Sequence, residues 1–572
     1  MRKLNHLITT LFIILASMTL SAVESSPSTS SFPLSTVEPN RILFLMQAGK
    51  TEQALNLYYD YANQQGHHDL ELVRQIGMTV LDQGYRISDP ETQLLTLFGA
   101  GISANENALY ILQDGLKSSF PQLQLISLNF LSMYQNDDAD QAMNRVMSSN
   151  YFLIRLEGAY HLAKKKAPTA VGQIEALMSK VDTELWPVFP QLYAMVGNAE
   201  SIRILRKLLA HKNEEVRIAA VLSAAQHGRD DLLPQIRLLA THHAMAQQEA
   251  CAFALGLMKD ESSVDKLQTI ATSSGASTVR LAAWQALYRL GRKEVRQPIE
   301  EAAKGGDLFA VAILGDIEGS EEVLFALTKS PNMHVKVNAT LSLLKRKDIR
   351  CLQSLCEVLI RDSRDLSFAK LNSHAGALTA YKVVPSAAQN LEEDSVAIEL
   401  SLSLREDALI KALELPEASF LRLANTLFEA QQNDLVPTLV LALETMQSPE
   451  AIALLKRQQQ KAGAPLIRNY CNLALYRLKE NGPYAENLRL FIAKEQKGDL
   501  IHFRPFLPWE VRDKSSTYQL TPEETSRLLI ESFEALIQSQ DEQGIDVLLH
   551  AIQHGNAKNK YALAGLLIHS AQ

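Results

Sequence analysis

The sequence predicts an all-α protein, an α-solenoid in which antiparallel helix pairs stack into a superhelix. Three observations predict it. Apolar residues recur three and four apart, the helical period, over most of the chain. One thirteen-residue pattern returns at a near-constant spacing of about thirty-one, the length of one helix pair. Finally, 25 glycines and 20 prolines in 572 residues leave few of the tight turns that an antiparallel sheet needs.

Read from the N-terminus, Arg2 and Lys3 precede an apolar run from Leu7 to Leu20, followed by Ser21 and Ala22. This is the three-part layout of a secretory signal peptide, expected to span residues 1–22. The run is short for a membrane span. Leu20 is larger than the residue usual two before a cleavage site, so the alternative is an uncleaved N-terminus giving peripheral membrane association. Residues 23–40, with V-E-S-S-P-S-T-S-S-F-P, form a Ser/Thr/Pro-rich linker too polar to pack a core. Residues 41–90 read as an N-terminal helical cap, and Q-A-G-K-T-E-Q-A-L-N-L-Y-Y-D-Y-A within them looks like a tetratricopeptide-type helix pair.

The repeat occupies residues 91–347. With Val279 as position zero of V-R-L-A-A-W-Q-A-L-Y-R-L-G, the frame recurs at Thr92, Leu123, Ile154, Leu185, Val216, Gln248, Leu308 and Val335. Each frame follows a shorter helix, such as A-E-S-I-R-I-L-R-K-L-L-A, and a polar turn, such as H-K-N-E-E. One such pair cannot bury its own apolar face, so neighbours must stack. Residues 348–415 lose the period and read as irregular helices, the frame resumes over 416–496, and 521–572 form a C-terminal helical cap. Between them, residues 497–520 contain Pro505 and Pro508, which interrupt any helix. Phe503, Phe506, Trp509 and Tyr518 argue for a functional loop there rather than a linker.

Through V-R-I-A-A at Val216 and V-R-L-A-A at Val279, the array resembles the HEAT repeat family, in particular its short HEAT-like repeats of about thirty residues. The resemblance covers Thr92 to Lys347 and implies a superhelical interaction scaffold. It also implies a ladder of polar contacts from the second frame position, held here by Arg155, Arg217, Arg280 and Lys336. Gln124 and Glu249 depart from that pattern, which leaves the ladder incomplete or differently paired.

Within each frame helix, positions 0, 3, 4, 7, 8 and 11 share one face and form the stacking core. Cys251 and Cys471 stand there in place of alanine, and Cys351 and Cys356 lie too far apart around a helix to bridge. Positions 2, 5 and 9 point the other way and are apolar too: Leu281, Trp284 and Tyr288 in one unit, Phe253 in the previous one, Ile313 in the next. A helix apolar all round is buried on more than one side. That face therefore packs against a first helix or the C-terminal segment, or it lines an apolar groove with Trp284 and Phe253 as anchors. The loop around Trp509 could fill such a groove until a partner displaces it.

No sequence feature points to catalysis or to a cofactor. Nucleophile elbows, phosphate-binding loops and dinucleotide fingerprints are all missing from the sequence. His550 and His554, four apart on a helix, could share a metal ion, but Ala551 stands where a zinc protease needs its glutamate and no third ligand is near in sequence. The doublets His67-His68 and His242-His243 read as solvated turns. A formal charge of −8 and no basic run longer than Lys164-Lys165-Lys166 argue against nucleic acid. Asn338-Ala339-Thr340 matches a glycosylation acceptor at a core position where no glycan fits, which favours a bacterial envelope over a eukaryotic secretory route. The sequence thus predicts an exported, non-enzymatic scaffold, periplasmic or secreted, that binds a protein or extended peptide along its inner surface. The alternatives are a metal-binding protein or metal-dependent hydrolase using His550 and His554, and a purely structural envelope spacer.

Overall fold

The computed structural model describes residues 38–360, 366–385, 403–461, 465–500, 522–538 and 542–572. Helix pairs run through almost all of them, and the fold is an α-solenoid. The expected signal peptide lies outside the described residues. The linker expected to reach residue 40 gives way earlier, because a helix already starts at Glu38.

The frames coincide with helices, except that Leu185, set at position zero of its unit, lies in the 3-10 segment Thr183–Val188 before its frame helix and is exposed. Pro90–Ile102, Pro121–Leu131, Phe152–Lys164, Phe189–Val196, Glu214–Gln226, Met245–Leu257, Ser277–Arg289, Leu308–Leu314 and Met333–Lys345 carry the repeated pattern in turn. Four of the nine starts are set by short polar caps: Asp89, Asn213, Asp307 and Asn332 each accept a hydrogen bond from an otherwise unpaired first-turn N–H. Their ends repeat as well. Left-handed backbone occurs at Ala104, Lys166, Gly197, Gly228, Lys259, Gly291, Gly319 and Lys347. After five of these residues the next N–H reaches back five positions, as from Arg229 to Ala224 O (2.9 Å), Asp260 to Leu255 O (3.0 Å) and Arg292 to Leu287 O (3.0 Å). This is the Schellman closure, which satisfies carbonyls that a helix end leaves open.

The period of these ends corrects one frame. Lys259 lies twelve residues after Gln247, as Gly228 does after Val216 and Gly291 after Val279. Gln247 is fully buried and Gln248 is not, so position zero of that unit is Gln247. Glu249 therefore sits at position 2, on the face away from the stacking core, and leaves the ladder without being a defect in it. The ladder ties three frame helices to their own preceding turns: Arg217 Nη1 donates to His211 O (2.8 Å), Arg280 Nη1 to Ser274 O (2.8 Å) and Gln124 Nε2 to Ser118 O (2.5 Å), whereas Lys336 pairs with Glu357 instead and Arg155 Nε is buried without a partner among the described residues. Links to the following unit come from Arg217 Nε to Gln247 (2.7 Å) and from Ser149 to Gln124 (2.6 Å).

Val279, Ala282, Ala283, Ala286, Leu287 and Leu290 are all buried, as the frame requires. Cys251, Cys351 and Cys471 are buried free thiols and Cys356 is half-buried, so all four serve as small apolar residues. Consecutive frame helices pack directly on one another, whereas the first helices of neighbouring units scarcely touch. Elements crowd on the inside of a curve, so the frame helices line the inner wall.

The stack returns to its own start. The helix Lys560–Ser570 lies against both Leu70–Tyr85 and Pro90–Ile102, which closes the succession of helix contacts into a ring. Glycine permits the approach: a Cβ at Gly565 would sit 2.1 Å from the Gly99 carbonyl oxygen, and one at Gly99 would sit 2.2 Å from the Tyr561 carbonyl oxygen. Leu563, Leu566, Leu567 and Ile568 are buried there, each contributing about 1.5–3 kcal/mol on burial. Polar contacts rim this seam, namely Lys558 Nζ to Glu91 (2.5 Å), Gln553 Nε2 to Asn56 Oδ1 (2.7 Å) and His68 Nε2 to Asp546 (3.3 Å). His68 is thus no solvated turn residue; it also stacks on Tyr58 and bonds to its hydroxyl at 2.9 Å.

The stretch 348–415, expected to be irregular helices, is helical at Ile349–Cys351 and Leu352–Leu359 but then holds an antiparallel hairpin, β1 (Leu366–Asn372) and β2 (Thr379–Pro385). Alternating S-F-A-K-L-N and T-A-Y-K-V-V are strand patterns, flanking a turn at S-H-A-G-A-L in which Gly376 takes a positive φ. Helices resume at 403–412.

Candidate binding surface

The hairpin lies on the inner wall, across the N-terminal halves of four frame helices. Four side chains from those helices hold it. Glu249, fully buried, accepts hydrogen bonds from the Ser373 hydroxyl and from Ala375 N–H (3.2 Å) at the turn. Thr278 meets His374 Nδ1 at 3.3 Å. Asn338 pairs its amide with the Tyr381 backbone in both directions, at 2.7 and 2.9 Å, and His334 Nδ1 accepts from Val383 N–H at 2.9 Å. Both bonds end on Oε1, so the turn supplies donors for one of the two buried carboxyl oxygens, and Oε2 meets none among the described residues. Asn338 is therefore a docking residue for the hairpin, which explains a polar side chain at a core position.

The residues expected to line the inner face divide into two groups. Phe253, Trp284 and Tyr288 are half-buried and lie towards the C-terminal halves of their helices. The Arg289 guanidinium stands over the Phe253 ring at 5.1 Å, and burial lowers the pKa of that guanidinium. Tyr288 Oη accepts from Glu318 N–H in the next unit at 2.9 Å. Leu281 and Ile313, by contrast, are core residues, exposed by only 1% and 3%. Leu281 lies in the N-terminal half of its helix, the half that the hairpin covers through Thr278 and His374. At Ile313 the frame helix has only seven residues and β2 packs on it. The aromatic segment with Phe503, Phe506, Trp509 and Tyr518 lies outside the described residues; among those described, the hairpin is what covers the inner face.

Part of the wall has no such cover among the described residues. Leu153 holds position −1, which Thr278 and His334 hold in their own units to meet the hairpin, and it is 57% exposed. Phe120 and Tyr151, at the same ends of their helices, and Leu257, beside Phe253, are exposed as well. Grouped exposed apolar side chains are the ordinary mark of an interaction surface.

His550 and His554 are exposed neighbours with ring centroids 4.7 Å apart. Burial and the neighbouring His554 charge lower the His550 pKa. Among the described residues, no third histidine, cysteine or carboxylate joins them in a ligand set. A charged cluster elsewhere gave no sequence signal, because its members come from separate helices. Arg477 Nη1 lies 3.7 Å from Glu444 and 3.5 Å from Glu531, and Arg527 Nε bonds Glu531 at 2.9 Å. Burial first, then the Glu531 charge, pushes Glu534 up to about 8.

No family model matches the chain, and no curated protein matches it. Among solved structures it is similar to the CpcE and CpcF complex of phycocyanin lyase from Nostoc sp. PCC7120, at 20% identity over 37% of this chain and 92% of that one, with a TM-score of 0.30. It is also similar to UNC-45 from Drosophila melanogaster, at 13% identity over 93% of this chain and 88% of that one, with a TM-score of 0.32. A Kap121p mutant follows at 10% identity, 93% and 79% coverage and a TM-score of 0.29. At these values the likeness goes no further than stacked helices, and the fold rests on the packing of the chain itself.

Proposed function

We propose that the protein is an exported, non-enzymatic scaffold that holds a protein or extended peptide on its inner wall. The observation that carries this reading is the partly open apolar face beside the hairpin, with Phe253, Trp284, Tyr288 and Leu257 on neighbouring helices. Aromatic residues that are half-buried before binding bury more area with little loss of side-chain freedom, which is why they anchor interfaces. Export is supported by the basic, apolar and small-residue succession over Arg2 to Ala22.

The test compares mature wild type with Trp284→Glu in pull-downs from the native envelope fraction, after circular dichroism has shown that both unfold at similar temperature. A protein recovered by wild type and lost by an equally stable variant is the expected result. Equal recovery by both removes Trp284 from the binding surface. Recovery of nothing by either leaves the structural-spacer reading in its place.

A further inference from the structure

The hairpin has two edges, and they are treated differently. On β2 the outward N–H and C=O of Tyr381 and the N–H of Val383 are taken by Asn338 and His334. Opposed residues of an antiparallel pair point their backbone groups the same way, both towards each other or both outward. Tyr381 faces Lys370, Val383 faces Phe368 and Thr379 faces Asn372 in the register. Phe368, Lys370 and Asn372 therefore turn their N–H and C=O groups outward from β1, where no partner meets them among the described residues. β2 is the strand laid on the frame helices, while β1 stands off them, anchored mainly by Phe368 in a small core with Val337, Val358 and Leu404. Lys370 and Asn372 are exposed.

We infer that this open edge of β1 is a β-augmentation site that takes an extended segment of a partner protein as a third strand. The inference deepens the scaffold reading and rests on it. A row of alternating donors and acceptors is saturated by one kind of ligand, another extended backbone. The template is already ordered, because Glu249, Thr278, His334 and Asn338 fix the hairpin, so only the ligand loses conformational freedom on pairing. Edges that are kept unpaired carry bulges, prolines, short strands or charged side chains; β1 is seven regular residues without bulge or proline, and Lys370 is its one charged residue, which turns away uncharged strands and leaves an acidic one. Lys370 sets the chemistry of the ligand: an acidic residue opposite it and no proline in the paired stretch. It also disfavours a second copy of this chain, since antiparallel self-pairing about Lys370 would set like charges face to face.

The probe is an immobilised array of random-sequence peptides about twelve residues long, screened with the full chain. A binder is then resynthesised with N-methyl groups on alternate residues, in both parities. Pairing with β1 predicts that one parity weakens binding by about tenfold or more while the other leaves it unchanged. Lys370→Pro should cause the same loss without lowering the unfolding temperature, because the N–H it removes faces away from β2. Equal effects of both parities, or full binding by Lys370→Pro, would overturn the site. If Lys370→Pro binds normally while Trp284→Glu does not, the edge fails and the inner-wall reading stands; if no peptide binds wild type, both fail. A concentration-dependent dimer that Lys370→Pro abolishes would identify a second copy as occupant and also refute the inference.

Discussion

If the ring is closed by the helix Lys560–Ser570, enlarging Gly565 should open it without unfolding the array. A first carbon added at Gly565 lies 2.1 Å from the Gly99 carbonyl oxygen, so the helices must part by about 1.3 Å to reach ordinary contact near 3.4 Å. Gly565→Leu adds a branched chain beyond that carbon. Overpacking of this kind costs about 3 kcal/mol at its upper end. Replacing a mid-helix glycine returns about 1 kcal/mol of helix propensity. The net of about 2 kcal/mol raises the population of the open seam roughly 30-fold. Hydrogen exchange read by mass spectrometry should show faster exchange in 560–570 and 70–102 and no change in 214–289. The control is Gly172→Ala, where an added carbon meets nothing within 4 Å, and which should stabilise by up to about 1 kcal/mol. Unchanged exchange at 560–570 in a folded Gly565→Leu protein would show that this contact does not close the ring.

Two further outcomes follow from acidic side chains. Glu249→Ala leaves the Ala375 N–H and the Ser373 hydroxyl buried without their acceptor, a cost of about 1–3 kcal/mol that should appear as new protease cleavage within 366–385; cleavage at the wild-type rate would contradict the docking role of Glu249. The Glu534 carboxyl has a folded-state pKa of about 8, above its ordinary 4.5, so its contribution to stability is full below pH 4.5 and is lost as the pH rises towards 8. Glu534→Gln should flatten the stability profile across that window by up to about 1.4 kcal/mol per pH unit, measured by urea midpoints.

The array was legible in the sequence because a helix pair that cannot bury itself must repeat its apolar face, and Val216, Val279 and Val335 each report that need. The same repetition marked the cysteines as alanine substitutes. Leu281 and Ile313 were misplaced because period alone gives an angle around a helix, whereas burial also depends on what packs there, and the hairpin that covers this stretch of wall was not foreseen. The hairpin was hidden by its length: two seven-residue strands in a helical chain are outweighed by their surroundings, although S-F-A-K-L-N and T-A-Y-K-V-V both alternate. The off-pattern Glu249 and Asn338 were the available signal, since a polar residue in an apolar frame needs a partner from elsewhere. Closure of the ring had no such local mark, because Gly99 and Gly565 are separated by hundreds of positions.

That separation has a consequence for how the chain is made. The slot between Leu70–Tyr85 and Pro90–Ile102 is synthesised hundreds of residues before the helix Lys560–Ser570 that fills it. Until then an apolar trough lined by glycines stays open to water and to other chains. The order of synthesis thus separates the folding of the array, which proceeds from neighbour to neighbour, from the sealing of the ring, which waits for a contact across hundreds of residues.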